Sequence, residues 1–191
     1  MINYPNGKKT PIVIKKQSAA HRGMNLEQDI NATNSYYLDL NKAVIHKKPT
    51  PVQIVHVDFP ARKAAKIDEA YFKVPSTTDY NGIYQGRYID FEAKECNSRT
   101  SFPFSSIHAH QIRHLQQVLN HGAIAFLIIR FKVYDETYYV EAEKMVCAYL
   151  DKKGRSLPYA WFQKQGHLIP YSLARPVNYL HIVDKLYFKG E

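Results

Sequence analysis

The segment Arg87–Glu95 constrains the fold more than any other in the chain. Side chains alternate faces along a strand. In Ile89-Asp90-Phe91-Glu92-Ala93-Lys94 the apolar Ile89, Phe91 and Ala93 therefore share one face, and Asp90, Glu92 and Lys94 share the other. A helical period precedes this strand at about Asn25–Leu40, where Leu26, Ile30, Thr33 and Tyr37 recur at helical spacing. Another follows at about Ser106–His121, with Ile112, Leu115, Val118 and Leu119 on its core face. Next come a fully apolar strand at Ala123–Phe131, a second strand at Thr137–Val140 and a helix near Glu143–Leu150. Helices alternating with strands in this order predict an α/β fold, a mixed β-sheet with helices packed on it. A chain of 191 residues is long enough for one domain with a proper core, but not comfortably for two.

Three stretches depart from that plan. Residues 1–21 lack periodicity and are rich in Lys, Asn, Gly and Pro, which predicts a flexible basic arm ahead of a single domain over 22–191. Ala43–Val57 is β-rich but interrupted by Pro49 and Pro51, as one bent strand or two short ones. The stretch 58–78, with a basic middle and the aromatic pair Tyr71-Phe72, is too long for an ordinary connection and predicts a projecting insertion. Turn chemistry at Asp79-Tyr80-Asn81-Gly82 then leads into a hairpin that bends again at Gly86.

The net charge is +9, and it is unevenly placed. Residues 1–22 carry Lys8, Lys9, Lys15, Lys16 and Arg22 with no acid, and residues 42–66 carry Lys42, Lys47, Lys48, Arg62, Lys63 and Lys66 against Asp58 alone. Cations gain little from one another, so such a surplus points to a polyanionic partner, nucleic acid before membrane; a basic surface kept for solubility is the plainer account. The longest apolar run, Ala123–Ile129, falls far short of the ~20 residues that span a bilayer, and no apolar signal core follows Met1. Cys96 and Cys147 form neither a metal cluster nor a disulfide framework, and two free thiols fit a cytoplasmic protein.

The polar face of the Arg87–Glu95 strand carries the chemistry. Glu92 and Lys94 stand ~6.5–7 Å apart on one side of it. A bare Glu-x-Lys is most often an ion pair on a wet strand face. Here, however, Asp79 precedes Glu92 by 13 residues with a glycine-containing hairpin between, so a carboxylate at one strand's start can face another in mid-strand. Two converging carboxylates are costly without a cation, and Mg²⁺ with its oxygen ligands is the usual solution. Such a metal polarises a phosphate and acidifies water, and a neighbouring lysine can orient that water and offset developing negative charge. Acid, acid and lysine on a β platform are what phosphodiester hydrolysis requires.

Thr78-Asp79 followed by Glu92-Ala93-Lys94 resembles the PD-(D/E)-x-K signature of restriction-endonuclease-like nucleases, with Thr78 where proline is usual. Longer strings are similar to RecU-type Holliday junction resolvases. They are Arg22-Gly23-Met24-Asn25-Leu26-Glu27, His46 through Val55, Pro75 through Gly82, Tyr88 through Glu95, Thr100-Ser101-Phe102-Pro103 and Pro176-Val177-Asn178-Tyr179-Leu180. The resemblance implies a restriction-endonuclease-like sheet with a stalk at 58–78 that enters the junction centre. It implies a homodimer that cuts opposite strands of four-way junction DNA in recombination and repair, and modulation of the RecA recombinase. It implies Mg²⁺, with Mn²⁺ as substitute, held by Asp79 and Glu92 with Thr78 and Gln111 completing the set, and Lys94 as catalytic lysine. Its alternative is a non-catalytic junction-binding, RecA-modulating protein that kept the fold, against which the intact Asp79, Glu92 and Lys94 argue. A sequence-specific restriction enzyme would share the chemistry but not the insertion.

Further residues are candidates on weaker grounds. Arg22, Lys47, Lys48, Arg62, Lys63, Lys66 and Arg99 are candidate phosphate contacts, and Tyr71 and Phe72 either stack on splayed bases or anchor the stalk. Glu27 is either favourable charge at a helix start or an acid supporting the metal ligands. His108, His110, His114 and His121 cluster around the second helix without the acidic or cysteine ligands that would complete a zinc site.

Overall fold

The computed structural model describes residues 25–58, 60, 65–73, 77–151 and 154–188. The basic arm at 1–21 and Arg22 lie outside these residues, as do Arg62 and Lys63. The first helix, α1 (Leu26–Asp39), starts where Asn25 caps it: the Asn25 side chain accepts from the Gln28 N–H at 2.8 Å, and the Gln28 side chain returns a bond to the Asn25 N–H. Leu26, Ile30, Thr33 and Tyr37 are all buried, so the helical period read from the sequence is its core face.

Six strands form one sheet in the order β1-β4-β5-β7-β8-β10. They are β1 (Val44–Lys47), β4 (Tyr80–Tyr84), β5 (Arg87–Cys96), β7 (Ile124–Phe131), β8 (Glu136–Glu141) and β10 (His167–Ile169). The β4–β5 hairpin turns on Gln85 and Gly86, both with positive φ (47° and 73°), the two-residue turn whose twist matches antiparallel strands. Strands β5 and β7 run parallel, joined by a crossover that contains β6 (Ser101–Pro103) and α2 (Ala109–Asn120); the other pairings in this sheet are antiparallel. Every residue of β7 is buried, as its unbroken apolar run requires of a central strand covered on both faces.

Helices cover both sides. On one, α1 and the segment Val177–Val183, which includes α5 (Leu180–Val183), pack on Ile89, Phe91, Phe126 and Tyr139. On the other, α2, α3 (Ala142–Leu150) and α4 (Tyr159–Gln165) cover Ala125, Leu127, Ile129 and Val140, with the short β9 (Ser156–Pro158) paired to β6. The result is a mixed β-sheet flanked by helices.

Of the expectations about the N-terminal half, two short strands at 43–57 hold and the start of the insertion needs correction. Ala43–Val57 is two short strands, and the second, β2 (Val52–Asp58), leaves the sheet to pair with β3 (Lys66–Phe72) in a separate antiparallel ribbon. The element outside the sheet therefore begins at Val52, ahead of the 58–78 segment the sequence suggested. Its aromatic pair is at the root, because Phe72 pairs with Val52 and Tyr71 with Gln53. All 14 residues of the two strands are exposed (seven in each). No helix of the described residues is long and apolar enough to cross a membrane.

Candidate active site

The polar face of β5 does not face water. It lies beneath α2, and both Asp90 and Glu92 are 0% exposed. A buried carboxylate survives only where charge and hydrogen bonds answer it, and each of these two has its own set of partners.

Glu92 Oε1 meets the Lys94 ammonium at 2.6 Å and accepts from the Gln111 amide nitrogen at 2.6 Å, while Oε2 accepts from the Asp79 N–H at 3.2 Å. The Asp79 carboxylate in turn accepts from the Ala93 N–H at 3.4 Å. Asp79, just ahead of β4, and Lys94, on β5, thus meet at the Glu92 carboxylate, as the 13-residue spacing suggested. Burial first, and the charge of Asp79 second, push the Glu92 carboxyl up to about 8. The Lys94 ammonium opposes that shift without cancelling it. This leaves two neighbouring acids with one lysine, paired to Glu92, an imbalance that a divalent cation would resolve. Carboxylate oxygens are the hard donors Mg²⁺ takes, and Mg²⁺ needs few of them because it keeps several waters. Among the described residues no group of three or more His, Cys, Asp or Glu could hold a metal ion, so a cation here would rest on Asp79 and Glu92 with water and neutral donors. The residues fit such an ion.

The proton balance at Glu92 has a measurable consequence in metal-free protein. Unfolded, Glu92 gives up its proton near the ordinary 4.5, and folded it keeps it to about 8. The folded state therefore binds more protons across that window, and raising the pH through it favours unfolding. In EDTA, the melting temperature of the wild type is expected to fall relative to Glu92→Gln between about pH 5 and about pH 8. Parallel pH profiles for the two proteins would mean that the fold leaves Glu92 unperturbed.

The other predicted residues fall in several places. Thr78 is buried, but its hydroxyl donates to Asp90 Oδ1 and accepts from Lys48, so it is directed at Asp90 and not at Glu92. Gln111 reaches Glu92 through its amide nitrogen, because its oxygen accepts the His108 N–H at the start of α2. Lys48, expected as a phosphate contact, turns inward to Asp90 at 3.0 Å, because a buried carboxylate left without a cation would be strongly destabilising. Lys47 stays at the surface, paired to Glu27 at 2.5 Å. Glu27, Lys47 and Asp79 line one cleft of about 460 Å³ beside the N-terminus of α1, so Asp79 is open to it while Glu92 is not. Lys66, Tyr71 and Phe72 are exposed on the ribbon, and Arg99 is exposed beyond β5. The His108 and His110 rings stack 5.4 Å apart, and His114 Nε2 lies 3.2 Å from Asp90.

The sequence reading missed Asp90 and the inward role of Lys48. Asp90 was visible as the third polar residue on the alternating face. Nothing in the sequence marked that face as covered by a helix, because the amphipathic period of α2 fixes which of its sides is apolar and not what its polar side meets.

Known proteins resemble the chain over nearly its whole length. The Holliday junction resolvase RecU of Oceanobacillus iheyensis is 54% identical over 196 residues, covering 98% of this chain and 100% of that one. The protein of the same name from Geobacillus kaustophilus is 48% identical over 196 residues, covering 98% of each chain. A solved structure of Hjc, a Holliday junction resolvase from Archaeoglobus fulgidus, covers 70% of this chain and 90% of that one at 9% identity, with a TM-score of 0.40, which is too distant to carry an argument. The family described as Recombination protein U matches residues 21–185, and at this coverage and identity the chain belongs to the RecU family.

Proposed function

We propose that the chain is a structure-selective, Mg²⁺-dependent endonuclease that resolves Holliday junctions by paired phosphodiester hydrolysis on opposite strands. The observation that carries this is the convergence of Asp79, Glu92 and Lys94 at the Glu92 carboxylate, in a chain of the RecU family. A protein that only bound junctions would gain nothing from two carboxylates set against a polyanion. The family's two-site cleavage calls for a homodimer, and its strings bring RecA as a second partner and the restriction-endonuclease-like superfamily as the lineage of the sheet.

Asp79 and Glu92 would hold the metal with water, and a neutral donor from Thr78 or Gln111 would require that side chain to leave the partner it has here, Asp90 for the Thr78 hydroxyl and the His108 N–H for the Gln111 oxygen. Bound there, Mg²⁺ supplies Lewis-acid polarisation of the phosphate and a more acidic water. The protein supplies the rest. Lys94 sets a positive charge beside the Glu92 carboxylate, where it can orient the attacking water and meet the charge that develops on phosphate oxygens. Gln111 fixes the Glu92 rotamer from above, and α2 keeps bulk water off that face. Lys47, Lys66 and Arg99 lie at the surface, where phosphates can reach them, and Arg22, Arg62 and Lys63 would add to the same basic field.

Junction choice resides in the ribbon. Catalysis needs only the sheet, whereas a narrow two-stranded projection, exposed along both strands and rooted at Tyr71 and Phe72, suits the open, phosphate-ringed centre of a four-way junction. The test is cleavage and competition binding of a synthetic four-way junction against duplex of equal length at fixed salt, with and without Mg²⁺. Wild type is expected to cut the junction only with Mg²⁺. A variant with 53–71 replaced by a short Gly-containing turn, which spares the Lys73–Pro51 and Lys48–Asp79 backbone bonds at the root, is expected to lose junction preference and keep weak duplex affinity. No cleavage by wild type in Mg²⁺ or Mn²⁺ would refute the nuclease reading. Unchanged junction preference in the folded, shortened protein would refute the ribbon's role.

A further inference from the structure

A second buried cluster sits beside the two-carboxylate site, at the root of the ribbon. Asp90 Oδ1 accepts from the Thr78 hydroxyl. Its Oδ2 receives the Lys48 ammonium at 3.0 Å, the Tyr88 hydroxyl at 2.8 Å and His114 Nε2 at 3.2 Å. Four partners around one fully buried carboxylate is a heavy commitment of polar groups, and it answers the cost of withdrawing that carboxylate from water.

The chain topology gives the cluster its meaning. Lys48 lies on the leg entering the ribbon, between the end of β1 and the start of β2, and Thr78 and Asp79 lie on the leg leaving it, just before β4. Lys48 holds that second leg twice: its ammonium reaches Thr78 Oγ1 at 2.9 Å, and its N–H donates to the Asp79 carbonyl at 2.8 Å. Asp90 then anchors both legs to the middle of β5, the strand that carries Glu92 two residues further on. Asp79 also bonds Glu92 Oε2 through its N–H at 3.2 Å and accepts from the Ala93 N–H at 3.4 Å, and the Lys48 bond at 2.8 Å is the shortest of the three. The β4–β5 ladder begins at Tyr80 with Phe91, so regular strand pairing does not fix Asp79.

Resting on the reading of Asp79 and Glu92 as the metal-holding pair, we propose that Lys48, Thr78 and Asp90 form a clasp that sets Asp79 against Glu92 at the separation a shared divalent cation needs. Lys48 and Asp90 are positioning residues in this scheme, acting on the ion through the backbone of Thr78-Asp79. The clasp also joins the two legs of the ribbon, so the element that selects DNA and the carboxylate that holds the ion share one fastening.

A purely structural salt bridge would lower the melting temperature when broken and leave metal affinity alone, and that difference decides the test. Mn²⁺ binding to the DNA-free, full-length protein is measured by electron paramagnetic resonance for wild type, Lys48→Met, Asp90→Asn, the double variant and Asp79→Ala. Lys48→Met and Asp90→Asn are each expected to weaken Mn²⁺ binding by about 10-fold or more, as loss of a group supporting metal ligands does. The double variant is expected to be no worse than the weaker single, because the two act as one unit. Junction affinity measured in EDTA is expected to hold, and cleavage lost at low Mg²⁺ is expected to return at saturating Mg²⁺. Should Asp90→Asn fail to fold, Lys48→Met, at a partly exposed side chain, decides alone. Wild-type Mn²⁺ affinity in folded Lys48→Met, with Asp79→Ala weakened, overturns the clasp. Wild-type affinity in Asp79→Ala as well overturns the metal-holding pair, and the clasp with it.

Discussion

Asp79→Ala or Glu92→Ala is expected to abolish junction cleavage, by roughly three orders of magnitude or more, equivalent to ~4 kcal/mol of transition-state stabilisation. Binding of the uncut junction should survive or tighten, because Asp79→Ala removes a negative charge from the cleft and Glu92→Ala removes a buried carboxyl that keeps its proton up to about pH 8 without metal. The two variants should differ in stability. Glu92 is fully buried and pairs with Lys94, so Glu92→Ala leaves that lysine without its ion-pair partner, whereas Asp79 is half-buried and opens on the cleft. Parallel measurement of single-turnover cleavage and of junction affinity in EDTA checks the expectation. Cleavage by either variant near the wild-type rate would remove the two-carboxylate site from the mechanism.

Lys94→Ala is expected to lower the cleavage rate by about 10²–10³ at saturating Mg²⁺, the range for a positioned acid, base or charge that acts in the transition state. Lys94→Arg should recover little of it. A guanidinium does not give up its proton at working pH, and its planar fork does not replace a compact ammonium 2.6 Å from Glu92 Oε1. Saturating metal separates this residue from the clasp: extra Mg²⁺ repairs a weakened site but not a missing catalytic group. A Lys94→Ala protein that regains full rate at high Mg²⁺ would make the lysine a support for Glu92 and nothing more.

The central sheet was legible because its strands obey one rule each. Alternation placed Asp90, Glu92 and Lys94 together, and an unbroken apolar run placed β7 at the centre. The spacing of Asp79 and Glu92 then anticipated that these two residues meet. The ribbon was misplaced for a physical reason: Val52, Ile54, Val55 and Val57 have the composition of a core strand, yet all are exposed on an element outside the sheet. Composition reports what a strand could bury and not whether anything covers it. Lys48 was misread in the converse way. A lysine in a basic stretch suggests a solvated charge, and only the fold shows that a buried carboxylate lies within its reach.

The contact between α1 and the segment Val177–Val183 has a consequence for how the chain is made. The Val177 N–H donates to the Thr33 hydroxyl, a partner 144 residues earlier, and Asn178 accepts from the Tyr37 hydroxyl at 2.9 Å. Val177, Tyr179 and Leu180, each 0% exposed, close over Leu26, Ile30 and Tyr37. A ribosome releases α1 long before it releases the residues that seal it. At ~5–20 residues per second, the apolar stripe of that helix waits on the order of ten seconds for its cover. During that interval the nascent chain offers a hydrophobic face to chaperones or to other nascent chains. A message cut short before the codon for Val177 would yield a protein with Asp79, Glu92 and Lys94 all present and a core that cannot close.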